Sequence, residues 1–190
     1  MSKKGRLYVF TGPSGTGKGT ILHRVLPQDD RLFVSVSATT RAPREGEQDG
    51  VHYFLTRESF EQKIEQNAFL EYAQYVGNYY GTLEAPVDEQ LARGNDVILE
   101  IEVQGAMQIH KKRPDAVMVF VAPPSLEELE SRLRGRGTET ESKIQRRMET
   151  AHKELTYMKE FDYVVVNDDL ERAVGDFQAI LRAERCRNRD

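Results

Sequence analysis

The feature that most constrains this chain is a glycine-rich loop between a short apolar run and a helical stretch. Residues 7–10 are apolar, residues 11–20 read TGPSGTGKGT, and residues 21–26 follow with a helical pattern. Glycines let the backbone wrap closely enough for successive N–H groups to point at phosphate oxygens, and the N-terminus of the next helix adds a favourable dipole. The order strand, glycine loop, lysine, helix therefore predicts an α/β protein that binds a nucleotide through its phosphates.

The spacing within the loop is that of the Walker motif. Gly12 is followed after four residues by Gly17 and then by Lys18, which supplies a cation to the β and γ phosphates. The whole loop is expected to contact ATP: Gly12, Pro13, Ser14, Gly15, Thr16, Gly17, Lys18, Gly19 and Thr20. Gly19 stands where Ser or Thr usually follows the lysine, so we expect the metal to be held through water by acidic groups elsewhere.

Five apolar runs alternate with segments of helical period along the chain. The runs are residues 7–10, 32–36, 97–99, 116–121 and 163–166. Such runs suit strands that are buried on both faces, and apolar stripes of helical spacing lie between them. The alternation predicts an α/β fold with a parallel five-stranded sheet flanked by helices, in which ligands lie beyond the carboxyl ends of the strands.

Two segments interrupt this alternation within what the 190 residues predict to be a single domain. Residues 37–93 turn polar and hold five of the eight tyrosines, which predicts a small mixed α+β insertion between core segments 1–36 and 94–190. An arginine-glycine loop, residues 132–139, follows a helix with the capping pair Ser125 and Glu128. A long helix is expected to start near Glu141, so residues 132–150 form a predicted cationic lid within the core.

Composition narrows the class of partner. Lys and Arg total 27 against 31 Asp and Glu, and the net charge of −4 argues against a protein that coats nucleic acid with a basic face. No apolar run is long enough to span a membrane, and residues 1–5 lack a secretory signal. We expect a cytoplasmic protein with small-molecule substrates and with neither nucleic acid nor membrane as a partner. The tail after Leu181 is predicted to be merely charged, with Cys186 as a surface thiol.

The insertion begins with a pattern suited to a phosphomonoester. Arg41 and Arg44 stand three positions apart in a loop set by a proline, so two guanidinium groups can fork onto one phosphate. Residues 71–82 then place a carboxylate and several hydroxyls on neighbouring short strands. Whether the tyrosines 72, 75 and 79 in this segment do more than pack the sheet stays open.

From end to end the chain resembles the guanylate kinases, the enzyme family that phosphorylates GMP from ATP. The most specific segments are residues 37–46, 77–82, 135–140 and 166–169. The resemblance implies a kinase with Mg²⁺ as cofactor and with ATP and GMP as substrates. It also implies direct in-line transfer and a role in guanine nucleotide biosynthesis and recycling.

The resemblance further implies roles for individual residues on both substrates. The residues expected to hold the GMP phosphate are Arg41, Arg44, Tyr53 and Tyr80, and those expected to read guanine are Ser37, Glu71 and Thr82. The residues expected to complete the ATP site and the lid are Asn167, Arg136 and Arg147, with Arg132 as a further candidate. The groups expected to carry catalysis are Lys18, Arg41, Arg136 and Arg147.

Hydrogen-bond chemistry supports the guanine assignment independently. Guanine presents two donors, N1–H and the 2-amino group, beside the acceptor O6, whereas adenine presents an acceptor at N1 and a donor at N6. An ionised glutamate only accepts, so Glu71 can pair with both guanine donors while a hydroxyl of Ser37 or Thr82 serves O6. Adenine would leave buried polar groups unpaired.

Two carboxylates follow the third apolar run, where phosphates and metal lie in such folds. Glu100 is the candidate for Mg²⁺, through the water shell of the metal, and Glu102 for the GMP side. The alternative that only one of the two is functional has equal weight. Transfer of a γ-phosphoryl group needs alignment and charge neutralisation, so the sequence need not supply a catalytic base.

Two other functions and one structural question stay open at this stage. The chain could be another nucleoside monophosphate kinase, for example one that accepts AMP, although Glu71 argues against it. It could be a non-catalytic interaction module, although the intact loop with Lys18 argues against that. A stripe in the long helix suits either a dimer seam or packing on its own domain, and the oligomeric state is undetermined; its members are Ile144, Met148, Ala151, Leu155 and Met158.

Overall fold

The structure is a computed structural model that describes residues 4–43, 47, 52–75, 77–135 and 140–188. Two compact units make it up. The first falls within Met1–Tyr8, Arg31–Leu99 and Gln104–Ala116, and the second within Val9–Asp30, Glu100–Val103 and Val117–Asp190.

Strands and helices alternate through the described residues. The strands are β1 (Leu7–Thr11), β2 (Leu32–Val34), β3 (Ser37–Thr39), β4 (His52–Phe54), β5 (Phe69–Tyr75), β6 (Asn78–Leu83), β7 (Asp96–Glu100), β8 (Val117–Ala122) and β9 (Tyr163–Val166). The helices are α1 (Lys18–Val25), α2 (Arg57–Glu65), α3 (Glu84–Ala92), α4 (Val103–Lys112), α5 (Leu126–Gly135), α6 (Glu141–Leu155) and α7 (Leu170–Cys186). None of the helices described is long and apolar enough to cross a membrane.

The five predicted apolar runs all form strands of one parallel sheet, in the order β2-β7-β1-β8-β9. This confirms the predicted fold class. Strands β1 and β8 are buried along their whole length. The prediction of burial on both faces is wrong for β2 and β9, where Phe33, Val164 and Val166 are exposed. Both strands lie at the ends of the sheet, where a strand has a neighbour on one side only and less of it is covered.

A second sheet is formed by residues of the polar segment, in the order β4-β3-β6-β5. Strand β6 runs antiparallel to both β3 and β5, and β4 runs parallel to β3. Ala38, Phe60 and Phe69 form a buried cluster in this unit, and Tyr79 stacks on Phe60 with ring centroids 5.1 Å apart. Tyr79 is therefore a packing residue, whereas Tyr75 is 67% exposed and does not pack the sheet.

The helices on either side of the arginine-glycine loop match the sequence pattern. The N–H of Glu128 donates to the Ser125 hydroxyl at 3.1 Å, which confirms the predicted cap, and α6 begins at Glu141 as expected. The stripe of α6 packs on α5 of the same chain, in a cluster made by Leu129, Leu133, Ile144, Ala151 and the partly buried Met148. Packing within the chain therefore accounts for this part of the stripe.

The C-terminal tail differs from its prediction. Helix α7 continues through the charged segment to Cys186, which is exposed. Glu184, however, is only 1% exposed and accepts a hydrogen bond from the Tyr163 hydroxyl at 2.7 Å. This hydrogen bond raises the pKa of Tyr163. The prediction that the tail is merely charged is wrong, because one of its carboxylates is buried and hydrogen-bonded.

Candidate active site

The glycine-rich loop joins β1 to α1 and depends on glycine at two points. The helix begins at Lys18, three residues earlier than the sequence pattern suggested. At Gly12, where φ is 143°, a Cβ would stand 2.1 Å from the Val121 carbonyl oxygen. At Gly17, where φ is 88°, it would stand 2.4 Å from Nδ2 of Asn167. Any side chain at either position would force the loop out of its tight path.

Buried polar side chains hold the loop in place. The Thr16 hydroxyl donates to the Pro13 carbonyl at 2.9 Å, so the turn is closed from within. Asn167, which is also buried, donates through Nδ2 to the Thr16 carbonyl at 2.8 Å. The structure thus places this predicted ATP-site residue directly against the phosphate loop, as a support of the loop backbone.

Two cationic side chains converge on the loop. The Lys18 ammonium donates to the carbonyl oxygens of Gly12 at 2.5 Å and of Pro13 at 3.0 Å. Arg147, from α6, donates to the Ser14 hydroxyl at 3.0 Å. Loop N–H groups and cations in one place make an anion site, which suits the phosphates of a nucleotide.

One of the two predicted acidic groups lies close to the same loop. Glu100 is the last residue of β7, and its Oε1 lies 3.8 Å from where a Cβ on Gly19 would stand. Its carboxylate is exposed, as is that of Glu102 just before α4. The described residues contain no group of three or more His, Cys, Asp or Glu side chains that could hold a metal. One carboxylate suits Mg²⁺ nonetheless, because this ion keeps several waters and takes its other ligands from phosphates.

In the other unit, the three predicted base-reading residues form one row across neighbouring strands. Ser37 of β3 pairs with Thr82 of β6, and Thr82 pairs with Glu71 of β5. Directly paired residues project on the same face of a sheet, so the two hydroxyls and the carboxylate stand side by side. Tyr80, two residues before Thr82 on β6, shares this face.

The carboxylate in this row is buried and already oriented. Glu71 is 8% exposed, and its Oε1 accepts a hydrogen bond from the Thr82 hydroxyl at 2.7 Å. From the sequence, the hydroxyl of either Ser37 or Thr82 was predicted to serve O6 of guanine. In the structure the Thr82 proton is donated to Glu71, so Ser37 is the hydroxyl of the row that can serve O6.

Arg41 presents its guanidinium fork to a carboxylate. Its two terminal nitrogens donate to the two carboxylate oxygens of Glu47 at 3.1 and 2.8 Å. Hydrogen bonding to Glu47, with a smaller contribution from Tyr80, raises the pKa of Arg41. Tyr53 pairs in register with Ala38, one position along from Ser37, so it projects on the face opposite to the base-reading row and Tyr80. Arg44, the second predicted arginine, lies outside the described residues, and the fork of two arginines stays a prediction.

Comparison with known proteins decides the family. The family model described as guanylate kinase matches residues 4–184. The chain belongs to the guanylate kinase family. The guanylate kinase of Desulfitobacterium hafniense is 53% identical over 184 residues, which cover 96% of this chain and 92% of that protein. A guanylate kinase of Thermus thermophilus is 56% identical over 186 residues, which cover 97% of this chain and 84% of that protein.

A solved structure agrees with the guanylate kinase assignment. The crystal structure of guanylate kinase from Anaplasma phagocytophilum superposes with a TM-score of 0.76 at 30% identity, over 98% of this chain and 89% of that one. Membership of the guanylate kinase family makes the protein an enzyme, a nucleotide-binding kinase of the transferase class. The interaction module without catalysis is thereby set aside.

The arginines expected in the lid of a guanylate kinase have different surroundings. Arg132 pairs with Glu128, one turn earlier on its own helix, at 2.8 Å. Arg136 lies outside the described residues. Arg134, which the sequence reasoning passed over, donates from the end of α5 to Glu141 at the start of α6 at 2.6 Å. This contact lowers the pKa of Glu141 and joins the helices on the two sides of the loop. The sequence signal for this contact was an arginine before such a loop together with a glutamate at the start of the next helix.

One further acidic residue near the phosphate loop was missed. Glu154 lies two turns after Arg147 on α6, hence on the same helix face. Burial raises the pKa of its carboxyl, the charge of Lys18 lowers it, and that of Glu102 raises it. These three groups therefore interact in the same unit. Helical spacing from Arg147 was the signal that could have found Glu154.

Proposed function

We propose that the protein transfers the γ-phosphoryl group of ATP to GMP, with Mg²⁺ as cofactor, and so produces ADP and GDP. The observation that carries the proposal is the buried carboxylate of Glu71 in one row with Ser37 and Thr82. A group that only accepts hydrogen bonds suits the two donors on the guanine edge, and N1 of adenine would face it as a second acceptor. Sites of this kind discriminate by up to about 10⁴- to 10⁵-fold.

The acceptor phosphate is assigned to Arg41. Its fork already engages both oxygens of the Glu47 carboxylate, and the same geometry suits two oxygens of a phosphomonoester. In the proposed complex the GMP phosphate replaces Glu47 as the partner of the guanidinium, and Tyr80 lies beside it. For Arg44 and Tyr53 a role at this phosphate remains a prediction from the family resemblance.

The phosphoryl donor, ATP, is assigned to the glycine-rich loop. The N–H groups of the loop and the start of α1 receive the phosphates of ATP, and Lys18 exchanges its contacts with neutral carbonyls for charged phosphate oxygens. Arg147, which already contacts Ser14, adds positive charge at this loop. Arg136 remains a prediction from the resemblance.

Glu100 would hold the metal through water, since its carboxylate stands near Gly19, where no hydroxyl side chain is available. When bound, Mg²⁺ neutralises charge on the phosphate oxygens. Glu102 remains assigned to the GMP side.

The reaction step needs no base from the protein. An anionic phosphate oxygen of GMP forms a bond to the γ-phosphorus as the bond from that phosphorus to the ADP oxygen breaks, in line and without a proton to remove. The work of the chain's residues is to align the two nucleotides and to neutralise the charge that spreads over the transferred oxygens. We place this activity in guanine nucleotide biosynthesis and recycling in the cytoplasm.

A coupled assay for ADP formation with Mg²⁺ and ATP tests the proposal, with GMP, AMP and UMP as separate acceptors. We expect GMP to be used at least about 10³-fold more efficiently than AMP, as a site with matched buried hydrogen bonds requires. Equal turnover of the two purine monophosphates would refute the assignment. Preferential turnover of another monophosphate would reassign the enzyme within its class.

A further inference from the structure

The strand that carries Glu71 lies at the end of its sheet, and side chains of α4 take the place of a further strand beside it. The backbone N–H of Tyr72 donates to Oε1 of Gln108 at 3.2 Å, and Nε2 of Gln108 donates to the Tyr72 carbonyl at 3.1 Å. Lys112 donates to the Phe69 carbonyl at 2.8 Å. The side chains of α4 thus hold the backbone of β5 on both sides of Glu71.

These contacts matter because β5 is irregular at that point. Phe69 pairs with Leu83 and Glu71 pairs with Thr82, so Leu70 is an extra residue in the ladder. A slip of one residue in a strand moves every side chain to the opposite face. The two contacts from α4 therefore fix the register in which Glu71 faces its row.

A third residue of α4 lies beside the carboxylate itself. Gly105 lies three residues before Gln108 and seven before Lys112, on the same face of the helix. A Cβ at position 105 would stand 2.7 Å from Oε2 of Glu71, 3.2 Å from its Cδ and 3.4 Å from its Cγ. Carbon and oxygen atoms do not approach so closely without repulsion, so any side chain at this position would displace the carboxylate.

We propose that Gly105 is a positioning residue that determines guanine specificity, and that the α4 face formed by Gly105, Gln108 and Lys112 sets the place of the base-reading carboxylate. The inference rests on the proposed function. One oxygen of Glu71 is fixed by the hydroxyl of Thr82, and the other has room only because residue 105 lacks a side chain. Because Gly105 lies in the first turn of α4, the N-terminal end of the helix also stabilises the negative charge of the Glu71 carboxylate.

The test is the substitution Gly105→Ala. The displaced atom is the far end of a flexible side chain, and alanine favours a helix over glycine, so we expect the variant to fold. A shift of the carboxylate by about 1 Å predicts a loss of about ten- to hundredfold in kcat/KM for GMP. The KM for ATP should stay unchanged, and the ratio of GMP to AMP turnover should fall.

Two comparisons separate this role from a structural one. Gly175→Ala places the same change in α7, where nothing lies within 4 Å of the added carbon, and should leave both substrates unaffected. In a Glu71→Ala background Gly105→Ala has no carboxylate to displace, so its effect on GMP should shrink to less than about twofold. An equal effect in both backgrounds would overturn the proposal.

The remaining outcomes are also decisive. A wild-type chain that turns over no GMP refutes the proposed function, whereas a wild type that does, with Gly105→Ala unchanged in its kcat/KM for GMP, refutes only the role of Gly105. Thermal unfolding reports whether the variant folds. If the variant does not fold, Gln108→Ala tests the proposal instead. Shortening this exposed side chain removes its hydrogen bonds to Tyr72 and adds no atoms. It should raise the KM for GMP severalfold and not that for ATP, and an unchanged KM for GMP would overturn the proposal.

Discussion

Replacement of Glu71 by glutamine tests the base-reading row most directly, because it changes hydrogen-bond character with almost no change in shape. The carboxylate offers two acceptor oxygens, one of which takes the proton of Thr82 at 2.7 Å. Glutamine offers one acceptor and one donor. Whichever way the amide is turned, one of the two guanine donors then meets an N–H group.

The expected loss of kcat/KM for GMP follows from the number of hydrogen bonds removed. One charge-assisted hydrogen bond disappears, which corresponds to about 1.5–3 kcal/mol. We therefore expect kcat/KM for GMP to fall by about ten- to 150-fold, since each 1.4 kcal/mol is a factor of about ten. Adenine presents an acceptor and a donor that match the amide, so kcat/KM for AMP should not fall.

The assay is initial-rate ADP formation at saturating ATP and Mg²⁺, with GMP or AMP varied. Glu65→Gln, the same substitution at an exposed position of α2, is the matched control and should behave as wild type. The KM for ATP should be the same in all three proteins. A ratio of GMP to AMP efficiency that Glu71→Gln leaves unchanged would refute the reasoning that Glu71 selects the base.

Three further substitutions address the phosphate-loop unit. Lys18→Met should reduce kcat by at least about 100-fold, because it removes a preorganised cation from the phosphate site. The thermal unfolding midpoint should stay nearly unchanged. A near-normal kcat would argue against the role of Lys18 at the phosphates. Asn167→Ala removes the donor to the buried Thr16 carbonyl and should lower the free energy of unfolding by about 1–3 kcal/mol, measured in denaturant. Burial raises the pKa of the Glu154 carboxyl in the folded state, so its contribution to stability is present at acid pH and is lost as the pH rises through that pKa. Glu154→Gln should therefore be more stable than wild type at pH 7 and lose this advantage on acidification, and a difference independent of pH would count against the burial of an ionised group.

Much of the fold was predictable because its signals are local. The spacing of Gly12, Gly17 and Lys18 follows from the geometry of a loop around phosphate, and the apolar runs follow from burial in a parallel sheet. The errors arose where burial depends on position in the sheet. Val164 and Val166 look like core residues in the sequence and are exposed because β9 lies at the end of the sheet.

The residues of the candidate site were predictable from the sequence, but the contacts between them were not. The sequence shows a glutamate and hydroxyl residues, but their row depends on the extra residue at Leu70 and on the long-range pairing of β3 with β6, neither of which the residue types reveal. The close approach of Gly105 to the Glu71 carboxylate likewise joins two segments far apart in the chain. Residue types indicate which chemistry a chain can perform, whereas the selectivity of Glu71 depends on neighbours that only the folded chain assembles. A substitution that keeps Glu71 and alters a neighbour therefore tests the part of specificity that the residue types alone do not show.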